Sequence, residues 1–162
     1  LAPDALPLAS SLENTMSGSS EQTHCALHLE LASNLDSVDH AEEKALEIAT
    51  RCGVHEDELH RVGMSVREAM VNAVVHGNKY NRNKKVVFRV ETSPGAMVVT
   101  IADEGAGFDP DQVPDPNQGE NVLRQSGRGI MLIRAFMDGY QVAPRAGGGT
   151  EVKLIKKLEP AS

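Results

Sequence analysis

Two apolar runs, Lys85 to Glu91 and Met97 to Ala102, stand on either side of Ser93-Pro94-Gly95. Branched aliphatics dominate both, and Pro-Gly is turn chemistry, so the stretch reads as two strands joined directly. This pair constrains the rest of the chain more than any other feature. Strands that follow one another directly belong to a sheet in which antiparallel pairing dominates, and the apolar face of such a sheet has to be covered.

The rest of the sequence supplies more strands and the cover. Cys25 to Leu31 alternates, with Leu27, Leu29 and Leu31 on one face, as a first strand would. Val38, Ala41, Ala45, Ile48 and Ala49 then recur at helical spacing up to Gly53, with Ser33 or Ser37 as the expected cap. A second helix is predicted from Asp57 to about His76, its apolar face made by Leu59, Val62, Val66, Ala69, Met70, Ala73 and Val74, and Gly77-Asn78 ending it. After the central strands comes a long loop from Asp103 to about Ser126, with Pro110, Pro114 and Pro116; loops of that length are usually functional lids or disordered stretches. Gly129 is expected to open a third helix through Met137, followed by strands at Tyr140 to Ala143 and Thr150 to Leu158 around Gly147-Gly148-Gly149. The order β-α-α-β-β-α-β-β fits an α+β two-layer sandwich: a mixed, mostly antiparallel sheet with helices on one face. Aromatic residues are only 3% and Trp is absent, so Leu, Val, Ile, Met and Ala must build the core.

Residues 1–22, rich in Ser, Pro, Ala and acidic side chains, read as a flexible leader, and 23–159 as one domain. The chain begins with Leu rather than Met, as a piece of a longer protein would. No apolar run approaches the 18 residues of a membrane span, and the start lacks the basic and apolar regions of a signal peptide. Cys25 and Cys52 form no metal-ligand pattern with the histidines; they read as buried packing residues in a reduced, cytoplasmic setting. A net charge of −7 argues against a general nucleic-acid binder, which needs basic surface. It leaves room for a single nucleotide, whose charge backbone N–H groups and a metal ion can carry.

Four short patterns bear on chemistry. Glu68, Asn72 and His76 are four apart on the second helix and make a polar row, which is either a solvated face or the wall of a cleft. Asp103-Glu104-Gly105-Ala106-Gly107 directly follows an apolar strand. That is ordinary turn chemistry, and it is equally a carboxylate fixed at a strand end beside glycines that admit a flat ring or a phosphate. Gly127-Arg128-Gly129 before a helix offers backbone N–H groups to an anion, although a lone G-x-G is a weak signal. Gly149-Thr150 closes a hairpin turn and places a hydroxyl at the start of a strand. The Rossmann pattern is not met, since Leu132 stands where its third glycine would be, and no Walker A sequence occurs.

In this order and placement the motifs resemble those of the GHKL, or Bergerat-fold, ATPase superfamily of gyrases, heat-shock chaperones, histidine kinases and mismatch-repair ATPases. Glu68 to Asn72 is similar to its N box, Asp103 to Gly107 to its first glycine box, and Gly127 to Gly129 to its second. Within the superfamily the chain most resembles the bacterial anti-sigma-factor serine/threonine kinases. Glu68-Ala69-Met70-Val71-Asn72-Ala73-Val74-Val75-His76-Gly77 is similar to their E-A-x-x-N-A-x-x-H-G run, and Gly127-Arg128-Gly129-Ile130 to their G-R-G-[LI]. The likeness covers residues 24 to 157.

The resemblance implies that the chain binds Mg²⁺–ATP and phosphorylates a serine on an anti-anti-sigma antagonist protein, while also sequestering a sigma factor. Glu68 would be the general base, and Asn72 would hold the Mg²⁺. Asp103 would accept the adenine amino group, with Thr150 near the same edge and Gly105 and Gly107 shaping the adenine end. Gly127, Arg128 and Gly129 would meet the phosphates, and residues 109 to 126 would be the lid. It also implies a homodimer, paired near His28 to Leu31. Two alternatives stay open: the catalytic and ATP-binding domain of a histidine kinase, and a non-catalytic ATP-dependent protein-binding module.

Overall fold

The computed structural model describes residues 23–106 and 119–159. Strand β1 spans His24–Ala32, helix α1 Leu35–Arg51 and helix α2 Glu56–Val71, which continues as a π-helical segment Asn72–Gly77. Strands β2 (Lys85–Ser93) and β3 (Ala96–Ala102) follow, then α3 (Gly119–Phe136), β4 (Gly139–Pro144) and β5 (Thr150–Lys157). The sheet has the order β1-β2-β3-β5-β4. Every neighbouring pair is antiparallel, so the sheet is not mixed. The connections explain it: β2 runs straight into β3, β4 into β5, and the crossover through α3 delivers the chain to the far edge, from which β5 returns beside β3.

Register places one residue type in each row across the sheet. Leu29 faces Phe88, Phe88 faces Ile101, and Ile101 faces Val152. On the opposite face, one step along, His28, Arg89, Thr100 and Lys153 form a polar row. A period of two therefore sends the aliphatic set to the helices and the charged set away from them. Phe88, Val90, Val99, Ile101 and Leu154 are fully buried against Val38, Ala41 and Ala45 of α1 and Val62, Val66, Met70 and Val74 of α2, in one core. Burying a side chain of this size contributes about 1.5–3 kcal/mol.

Several local expectations are corrected. The cap of α1 is Asn34, whose side chain accepts from the Ser37 N–H at 2.9 Å, because Ser33 is engaged elsewhere: its hydroxyl donates to the Lys84 carbonyl at 2.6 Å. Cys25 is exposed, since it lies at the β1 end beside a register shift, while Cys52 is half-buried against the core. Helix α3 begins at Gly119, not Gly129. The apolar period of Ile130, Ile133 and Met137 continues backward to Leu123 through residues that tolerate a helix. Gly127 and Gly129 thus stand in the helix interior, where each costs about 1 kcal/mol relative to Ala. Gly107 and most of the expected lid, residues 109–118, lie outside the described residues, as does the leader 1–22. No helix among the described residues is long and apolar enough to cross a membrane.

Candidate functional site

Helix α2 presents Glu68 and Asn72, both half-buried, one turn apart near its C-terminal end. Helix α3 meets them there. A Cβ added to Gly129 would stand 2.9 Å from Glu68 Oε1 and 3.7 Å from Asn72 Nδ2. The absence of a side chain at Gly129 is what allows α3 to pass so close to both. Arg128, the residue before it on α3, is exposed. From Asn72 onward the helix widens: Asn78 N–H reaches the Ala73 carbonyl at 2.8 Å and Tyr80 N–H the Val74 carbonyl at 3.0 Å. These spans are longer than the i→i−4 ladder, and π segments of this kind recur at functional sites. The widening breaks the even row of Glu68, Asn72 and His76 expected of a regular helix.

The π segment ends on Gly77, which lies against Asp103. A Cβ on Gly77 would come within 2.5 Å of the Asp103 carboxylate. Asp103 follows β3 and is 7% exposed. Its Oδ1 accepts from the Gly105 N–H at 2.9 Å and the Thr150 N–H at 3.2 Å. Its backbone N–H donates to the Thr150 carbonyl at 2.9 Å, and the Arg145 guanidinium donates to its carbonyl at 3.0 Å. Among the described residues no group donates to Oδ2, the oxygen beside Gly77. Burial pushes the Asp103 carboxyl above its ordinary value, against the opposing pull of the Gly105 and Thr150 N–H groups and the positive charges of Arg145 and Lys84. The result is a carboxylate that is fixed in direction, poorly solvated and still has one acceptor oxygen to offer.

Glycines make the close approaches around it. Any side chain on Gly105 would overlap the Gly77 carbonyl, and one on Gly149 would overlap the Asp103 carbonyl. Gly149 also sits at φ +106° in the β4–β5 turn, a conformation that favours glycine. Glu68, Asn72 and Gly129 form one cluster, and Asp103, Gly105 and Thr150 another. The π segment joins the two. Gly127 is on the α3 backbone just before Arg128.

Asn72 and Glu68 offer hard oxygen donors on one helix face. Such a pair suits Mg²⁺, which takes one or two protein oxygens and fills its shell with water and phosphate. Arg145 carries no local signal beyond turn composition, while Gly77 and Asn78 read in sequence as a helix stop, Gly77 also closing the run from Glu68.

A separate cleft lies elsewhere among the described residues. It has a volume of about 460 Å³ and is lined by Glu58, Arg61, Phe136, Asp138 and Lys156. Lys156 is nearly buried there, held by Glu58 and by Asp138. Glu58 is in the first turn of α2, so this cleft is roughly 20 Å along the helix from Asn72. None of the candidate residues lines it.

Comparison with known proteins bears on this arrangement. Residues 31–156 match the family model of the histidine kinase-like ATPase domain. The chain is similar to the anti-sigma F factor of Clostridium beijerinckii, 31% identical over 108 residues, which is 65% of this chain and 76% of that protein. It is also similar to the serine-protein kinase RsbW of Bacillus subtilis, 32% identical over 106 residues, covering 62% of this chain and 66% of the relative. Among solved structures, the RsbU and RsbW domains of a Mycobacterium tuberculosis protein superpose with a TM-score of 0.59 at 17% identity, over 83% of this chain and 33% of that one. The SiaB–SiaC complex from Pseudomonas aeruginosa gives 0.51 at 12% identity, over 97% and 100%. At these identities the structural likenesses speak to the fold.

Proposed function

This chain belongs to the histidine kinase-like ATPase family, and on that premise we propose that it is an ATP-dependent serine/threonine protein kinase of the anti-sigma type. It binds Mg²⁺–ATP, phosphorylates a serine of an anti-anti-sigma antagonist, and sequesters a sigma factor in a partner-switching module of the cytoplasm. The observation that carries the reading is the buried Asp103, whose Oδ1 is held by two backbone donors while Oδ2 has no donor among the described residues. The relatives named anti-sigma F factor and serine-protein kinase support the choice of reaction and partner.

In this reading Asp103 Oδ2 accepts a hydrogen bond from the adenine amino group, and Thr150 lies at the same edge. Gly105 and Gly107 keep the adenine end flat. Asn72 holds the Mg²⁺, which would neutralise charge on the phosphates as transfer proceeds. Glu68 takes the proton from the serine hydroxyl as its oxygen bonds to the γ-phosphorus and ADP departs. Arg128, exposed on α3, supplies positive charge to the phosphates, with Gly127 and Gly129 giving clearance beside it. Helix-interior N–H groups are already engaged in the helix, so the phosphate contact falls to the Arg128 side chain and not to a helix N-terminus. Residues 109 to 126 are proposed as the lid. β1 is one of the sheet's two outer strands, and its outward edge is the proposed homodimer contact.

Titration with ATP, with and without Mg²⁺, followed by incubation with the cognate antagonist, tests the reading. Mg²⁺-dependent binding and acid-stable phosphoserine are expected. Glu68→Gln should keep nucleotide binding and lower transfer by about 10²–10⁴-fold, and Asn72→Ala should remove the Mg²⁺ dependence of affinity. An acid-labile phosphoryl product would instead indicate a histidine acceptor. Intact regulation by Glu68→Gln would favour sequestration without catalysis, a reading supported by the name anti-sigma factor among the relatives.

A further inference from the structure

We propose that Asn78 is a positioning residue for the adenine end of the site, setting the backbone from which Asp103 presents its carboxylate. The role in base recognition rests on the nucleotide reading above, whereas the control of Asp103 geometry does not.

Asn78 is 2% exposed, yet its side chain makes three hydrogen bonds. Nδ2 donates to Ser33 Oγ at 2.9 Å and to the Lys85 carbonyl at 3.1 Å, and Oδ1 accepts from the Glu104 N–H at 2.8 Å. The amide thereby ties together the end of β1, the start of β2 and the turn after β3. The Glu104 carboxylate closes the same circuit by accepting from the Lys85 N–H at 2.5 Å. Two acceptors and one donor converging on one buried point match an amide and no other short side chain. Asp lacks the donors, and Ala would remove both the acceptor of the Glu104 N–H and a donor to the Lys85 carbonyl.

The backbone around Asn78 is held to that position. It leaves the π segment with its N–H on the Ala73 carbonyl, and the next two residues, Lys79 and Tyr80, are left-handed at φ 52° and 58°. Two successive non-glycine residues in that region persist only where the surroundings over-determine them. The buried amide is the anchor immediately before them.

The link to Asp103 is short. Asn78 Oδ1 fixes the Glu104 N–H, and Glu104 stands between Asp103 and Gly105. Gly105 N–H in turn holds Asp103 Oδ1. Releasing Glu104 loosens both the residue that carries the carboxylate and the N–H that orients it.

Asn78→Ala and the milder Asn78→Ser test this with two readouts. The first is the ratio of affinities for ATP and for inosine triphosphate, which carries a carbonyl where adenine has its amino group. The wild type should prefer ATP on the order of tenfold, the worth of one well-placed hydrogen bond. In the variants that ratio should collapse toward one while inosine triphosphate affinity holds. The second is amide hydrogen exchange, in which Gly105 and Thr150 should exchange on the order of tenfold faster while Phe88 and Ile101 in the sheet do not. Equal acceleration at all four amides, or no change at Gly105 and Thr150, overturns the proposal, as does an unchanged ratio in a wild type that discriminates. A wild type that does not prefer ATP overturns the nucleotide reading and the base-recognition role, and the exchange result then still decides whether Asn78 orients Asp103. Should Asn78→Ala not fold, Asn78→Ser carries the same two readouts.

Discussion

Gly63 and Gly149 each close a tight contact, the first between two helices and the second between a hairpin turn and Asp103. What they press against differs. A Cβ on Gly63 would meet Glu42 Oε2 at 3.2 Å and the Leu46 methyls at 3.4 Å, which are the far ends of flexible side chains. A Cβ on Gly149 would run into the backbone of Asp103 and stand 3.1 Å from the Glu104 Cα, where nothing can rotate aside. The helix pair is a packed layer whose surface groups can adjust. The end of the sheet around Asp103 is backbone against backbone, with Asp103 Oδ1 held by two backbone N–H groups. Small changes should be absorbed in the first region and amplified in the second, which is what a site with fixed geometry requires.

The largest expected effect is at Gly149. Gly149→Ala combines a positive φ with backbone overlap and should destabilise by about 3 kcal/mol or more, read from urea unfolding. A loss no larger than that of a surface substitution would erase the contrast.

Next comes the pH response of Asp103. Because burial raises its carboxyl above the ordinary 3.8, the folded state binds a proton more readily than the unfolded chain. Its contribution to stability is fully present below 3.8 and is lost as pH rises through the raised folded value. The stability of the wild type relative to Asp103→Asn should therefore improve as pH falls from about 7 to about 4. A difference that stays flat, or moves in favour of Asp103→Asn, would mean that the carboxylate is well solvated.

Smaller still is Arg67→Ala. Arg67 bridges α2 to Asp39 at 2.8 Å and Glu42 at 2.7 Å on α1, but both contacts are solvent-exposed. The expected loss is about 1 kcal/mol or less and should shrink further in high salt. The smallest effect is expected at Gly63→Ala. A gain of about 1 kcal/mol in helix propensity roughly offsets the tighter contact with Glu42 and Leu46, leaving a net change near zero in thermal or urea unfolding. A loss comparable to that of Gly149→Ala would show that the helix pair is as unyielding as the site.

Much of this molecule follows from local pattern. The alternation of Leu27, Leu29 and Leu31, the helical spacing of Val38 to Ala49 and of Val62 to Val74, and the direct β2–β3 connection specify the element order and the faces that meet. Periodicity is a property of neighbouring residues, so it can be read in the chain. Glu68, Asn72 and Asp103 were legible for a related reason: they stand at fixed spacing on a helix and at a strand end. Other features arise only when distant segments are brought together. The α3 start at Gly119, the π widening after Asn72 and the two backbone donors on Asp103 Oδ1 carry no pattern of their own. Asn78 reads in sequence as a helix stop, yet it binds Ser33, 45 residues away, and Glu104, 26 residues away. A buried amide acquires a role only from the donors and acceptors that folding places around it. The choice of Asn at position 78 was therefore decided by the tertiary structure, while the sheet and helices that enclose it were already written in the hydrophobic period of the sequence.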